Sequence, residues 1–132
     1  MKRLLLILCL LSAPVWAEDC AGGAGTIIAG LNGKRYCLSN IRMNWYSAFS
    51  WCEAAGGHLA SLNEACQYNG AAVVGEACSN KPNIFSVDYA WLSSVQSNNS
   101  AKVLQNWQNN NVFLNSHGFS SNMDFALCAG SY

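Results

Sequence analysis

The chain predicts an α+β domain held together by disulfides, and three observations carry that prediction. From Trp45 to about Ala55 the apolar residues Trp45, Ala48, Phe49 and Cys52 recur at the spacing that puts them on one helical face. From Tyr89 onward four apolar segments alternate with Asn- and Ser-rich turns, which read as strands. Six cysteines, Cys20, Cys37, Cys52, Cys66, Cys78 and Cys128, follow the first 17 residues, an even set of the kind that staples small exported domains. The order hairpin, helix, strand, helix and then a run of strands argues for two helices packed on antiparallel strands. The edge strands would come from both ends of the chain, which lie adjacent in space.

Taken in order, Lys2 and Arg3 precede the apolar run "LLLILCLLSAPV" and the small-residue end "VWA", the three regions of a secretory signal peptide. Cleavage is expected after Ala17, leaving residues 18–132 as one domain. The apolar run is too short to cross a bilayer as a helix, so no membrane insertion is expected after cleavage. Cys9 leaves with the signal, and loss of Lys2 and Arg3 leaves acidic residues in slight excess. That balance offers no electrostatic reason for a nucleic-acid or anionic-membrane partner.

In "TIIAGLNGKRYCLS" two short apolar runs flank Asn32-Gly33, a pair suited to a type I′ hairpin turn. A bridge between Cys20 and Cys37 would clamp the amino terminus onto this hairpin, and one between Cys66 and Cys78 would close a local loop. Six cysteines nonetheless allow many pairings, and spacing does not choose among them. Asn44 is placed to cap the aromatic helix and Gly56 to end it. "HLASL" then reads as a buried strand, and a less regular helix is expected from near Asn63. "YAWLSSVQ", "AKVLQNWQ", "VFLNSHGF" and "DFALCAGSY" complete the sheet. A zinc site competes for the cysteines, but no CxxC pair occurs, and His58 and His117 stand apart from them.

The stretch "MNWYSAFSWCEAAGGHLASL" resembles the first helix and following strand of C-type-lectin-like domains, and "AWLSSV" resembles their central strand. The resemblance covers most of residues 33–130 and implies a bridge from Cys52 to Cys128 in "FALC". Closing so long a loop removes chain entropy worth about 4 to 5 kcal/mol, comparable to the net stability of a small domain. "WLSSVQSNNSAKVLQNWQNNNVFLNS" is similar to bacterial lectin-like modules such as the carboxy-terminal domains of collagen-like adhesins. On this reading Trp45, Phe49 and Trp51 are packing residues.

The family's calcium-dependent sugar motifs are not in place. "KPN", Lys81 to Asn83, precedes the Trp91 strand, and Asp124 is the sole carboxylate between Trp91 and Cys128, whereas calcium takes six to eight oxygen ligands. No metal or cofactor is expected. What remains is an uncharged surface of amides around an aromatic ring: Gln96, Asn98, Asn99, Gln105, Trp107, Asn109 and Asn110. Amides pair with hydroxyls, and a ring covers the apolar face of a sugar. The expected function is calcium-independent glycan recognition by an exported lectin-like module; a protein-interaction or surface-assembly role, with a cell-surface protein as partner, is the alternative. Asn98-Asn99-Ser100 is also an acceptor pattern for N-glycosylation. Catalysis is not expected, because Glu53, Glu64, Glu76, Asp88 and Asp124 are scattered and neither histidine has a nucleophile at a telling spacing.

Overall fold

The computed structural model describes residues 18–67, 74–107 and 111–132. The expected signal segment, residues 1–17, and the expected binding residues Asn109 and Asn110 lie outside the described residues. The strands are β1 (Asp19–Cys20), β2 (Gly25–Ala29), β3 (Arg35–Met43), β4 (His58–Leu59), β5 (Tyr89–Ser97), β6 (Ser100–Trp107), β7 (Asn111–Gly118) and β8 (Asp124–Ala129). Two helices interrupt them, α1 (Trp45–Ala54) and α2 (Leu62–Cys66). The strands form one sheet in the order β1-β2-β3-β8-β5-β6-β7, with β4 also paired to β8. The fold is therefore α+β.

Both faces of the sheet are covered, and the strand sequences show it residue by residue. In β3, Cys37 faces one core while Tyr36 and Leu38 face the other; Trp91 alternates in the same way with Ala90 and Leu92, and Cys128 with Leu127 and Ala129. Central strands buried on both faces read as continuous apolar runs. Helix α1 covers the face that holds Trp91, Val103 and Cys128, and packs its own Cys52 into that core. Helix α2 and the chain through Ile84 cover the face that holds Leu92, Leu104 and Leu114. Trp91 is fully buried, and its indole N–H donates to the Met43 carbonyl at 2.8 Å, so the polar handle of this large core side chain is satisfied.

Local chemistry sets the helix ends. The Asn44 side chain accepts from the Ser47 backbone N–H at 2.9 Å, and Gly56, at φ +85°, turns the chain out of α1. "HLASL" gives a strand of only two residues, because Ser61 and Glu64 form a capping box that starts α2 at Leu62. The sequence signal for this start is Ser-x-x-Glu, "SLNE".

Three disulfides tie the layers together: Cys20 to Cys37, Cys52 to Cys128 and Cys66 to Cys78. The second joins α1 to β8. The third anchors a segment that lies along the outer edge of β7, where Gly75 N–H donates to Leu114, Leu114 N–H to Glu76, and Cys78 N–H to Val112. This pairing covers a strand edge that would otherwise invite association.

Several expectations are corrected. β8 is not an edge strand and is not adjacent to β1; it lies between β3 and β5, with β2 and β3 separating it from β1, because Ala126, Leu127, Cys128 and Ala129 are all buried and a sheet edge would leave part of that run wet. Its pairing with β5 is parallel, so the sheet is not wholly antiparallel. The β2–β3 hairpin is present, but its connection spans residues 30–34 and only Gly33 has positive φ, at +78°. A type I′ turn is not formed, because buried Asn80 accepts from the Asn32 N–H and fixes the loop from below.

Three disulfides in so small a chain are compatible with an extracellular or periplasmic protein. Among the described residues no helix is long and apolar enough to cross a membrane.

Candidate functional site

In an antiparallel pair, directly opposed residues share a face. The β6–β7 register therefore puts Val103 with Asn115, Gln105 with Phe113 and Trp107 with Asn111 on one side of the sheet. Val103 is buried in the core beneath α1. Two and four residues farther along β6 the same face becomes progressively more open, and Trp107 is 55% exposed.

The result is a groove of about 280 Å³ lined by Val74, Gly75, Gln105, Trp107, Phe113, Leu114 and Asn115. Strand β7 runs between its two sides. Val74 and Gly75 come from the segment on the outer edge of β7, whereas Gln105 and Trp107 come from β6. The groove joins two aromatic rings and two aliphatic side chains to two amides, and none of its lining residues is charged.

The amides are ordered by a hydrogen-bond relay. The Ser116 backbone N–H donates to Asn115 Oδ1 at 2.8 Å, and Asn115 Nδ2 donates to Gln105 Oε1 at 3.1 Å. A backbone N–H can only donate, so the first bond fixes which end of the Asn115 amide faces Gln105.

The expected binding residues are divided. Gln105 and Trp107 meet at the groove. Gln96, Asn98 and Asn99 lie at the β5–β6 turn, at the opposite end of β6, about 20 to 25 Å away at strand rise. There Gln96 accepts from Lys102 Nζ at 2.9 Å, and Asn99 Oδ1 accepts from Ser97 Oγ at 2.9 Å. Asn115, Phe113 and Val74 were not anticipated. Strand alternation from buried Val112 would have placed Phe113 and Asn115 on one face, but nothing local in "VVGEAC" points to β7.

Other polar clusters serve the fold. His117 Nδ1 and Asp124 Oδ2 lie 2.6 Å apart, with the Tyr89 ring 4.4 Å from the imidazole. Burial raises the Asp124 carboxyl above its ordinary range, and the hydrogen bond with His117 offsets part of that rise. Arg42 pairs with Asp88 and sits over the Phe125 ring. His58 pairs with Glu64 at 2.6 Å. The two histidines thus have carboxylate partners that the scattered sequence positions did not reveal. Among the described residues, no Ser, Thr or Cys side chain is hydrogen-bonded to His117, and no three His, Cys, Asp or Glu side chains gather as a metal site would require.

Compared with known proteins, the chain matches no family model and no curated protein.

Proposed function

We propose that the chain is an exported recognition module of C-type-lectin-like fold, and that its β6–β7 groove binds a glycan without calcium. The observation that carries this reading is the half-exposed Trp107 ring beside Phe113 and the ordered amides Gln105 and Asn115 in one uncharged groove. An aromatic face covers the apolar side of a pyranose, and amides exchange hydrogen bonds with its polar groups. The bond from α1 to β8 through Cys52 and Cys128, with Trp91 packed beneath, supports the fold part of the proposal. The lysine- and arginine-led apolar leader and the disulfides support export, with cleavage after Ala17.

Calcium independence is supported by the chemistry of the segment that family members use for it. Asp124, its sole carboxylate, is 2% exposed and engaged with His117. The module is proposed to act by binding rather than by catalysis.

A glycan array probed with the folded, oxidised chain tests the proposal. Binding should survive a chelator and fall in Trp107→Ala. Absence of signal for every glycan, with capture of a cell-surface protein instead, would move the assignment to a protein-interaction module.

A further inference from the structure

The groove's polar edge is polarised, and its direction restricts the ligand. Because the Ser116 N–H must donate, Asn115 turns its Oδ1 to that N–H and its Nδ2 toward Gln105. Gln105 accepts that bond through Oε1, and among the described residues nothing accepts from its Nε2, which stays available as a donor. The relay therefore offers the Gln105 Nε2 donor to a ligand, while each of the two amide oxygens already accepts one bond within it. Val74 and Phe113 give the same groove an apolar lining, with Phe113 directly beside Gln105 in register. Among the lining residues none is charged.

From this polarity we infer that the groove selects a neutral 2-acetamido sugar over its plain hydroxyl parent; this rests on the glycan-binding reading above. An acetamido group carries a carbonyl acceptor for Gln105 Nε2 and a methyl group for the apolar lining. A plain 2-hydroxyl supplies no methyl group, and its oxygen is a weaker acceptor than an amide carbonyl for the Gln105 Nε2 donor. A carboxylated sugar would lose hydration without gaining a cation. The volume, about 280 Å³, lies at the small end of ligand sites and fits one ring better than a chain of several.

The test uses immobilised N-acetylglucosamine and N-acetylgalactosamine beside glucose and galactose, presented on the same linker to the full oxidised chain. The acetamido members should be retained about tenfold more tightly, the worth of one added hydrogen bond and its apolar contact. Gln105→Glu and Gln105→Met, which both remove the donor, should bring the ratio close to one. Equal retention of acetylated and plain sugars, or a preference that survives both variants, would overturn this inference and leave the glycan-binding proposal standing. Retention of no sugar at all would overturn both.

Discussion

Cys37 and Cys128 are direct register partners in adjacent strands β3 and β8, and each sends a disulfide to a different part of the chain, Cys20 and Cys52 respectively. Two bridges are thus fastened side by side on one face of the central strands. Gly25 is required beside them: a Cβ there would lie 2.8 Å from Cys20 Sγ and 2.9 Å from the Leu38 carbonyl.

The bridges differ in the loops they close. Cys52 and Cys128 are 76 positions apart, against 12 for Cys66 and Cys78. Chain entropy then predicts a loss of about 4 to 5 kcal/mol for the C52A/C128A pair and about 3 kcal/mol for C66A/C78A. Urea unfolding should rank the two pairs in that order.

Asn80 is 3% exposed and holds three elements at once. Its Nδ2 donates to the Tyr36 hydroxyl and the Ala65 carbonyl, and its Oδ1 accepts from Asn32 N–H. Asn80→Ala leaves these groups unsatisfied and should cost about 2 to 3 kcal/mol by urea unfolding. Gly30→Ala should also destabilise, since its Cβ would fall 2.2 Å from Asn80 Nδ2.

Much of the fold was legible because its causes are local. Helical spacing from Trp45, the Asn44 cap and the alternating segments of the second half all act within a few residues. The position of β8 was not legible: pairing between strands 30 or more residues apart has no local signature, and burial on both faces looks the same for any central strand. The site was half legible. Gln105 and Trp107 stand out as an amide and a ring in a strand, but Gln96, Asn98 and Asn99 belong to the same composition and sit at the far end of β6. Val74 reaches the groove only through the Cys66–Cys78 loop.

Glu64 gives a pH test. Burial alone would raise its carboxyl, but the hydrogen bonds from the Ser61 backbone and from His58 outweigh it and hold the group below its ordinary value. A lowered folded pKa contributes stability that is present above the ordinary carboxylate range and is lost as pH falls through the folded value. Wild type should therefore exceed Glu64→Gln in stability at neutral pH, and the gap should close as pH falls below about 4. Thermal unfolding of both proteins across that range measures it.

The two tryptophans Trp91 and Trp107 separate packing from recognition. Trp91→Ala removes a fully buried ring and should cost about 3 to 5 kcal/mol. Trp107→Ala removes a half-exposed one and should cost under about 1 kcal/mol while weakening glycan retention. Denaturation curves set beside binding curves distinguish the two effects.

The most direct measurement is an amide and side-chain NMR titration of the oxidised chain with a glycan retained on the array. Recognition at the β6–β7 groove predicts that the Trp107 indole and the Gln105 and Asn115 amide signals shift first and saturate together. Shifts confined to the β5–β6 turn around Asn98 and Asn99, with the groove signals unmoved, would contradict it.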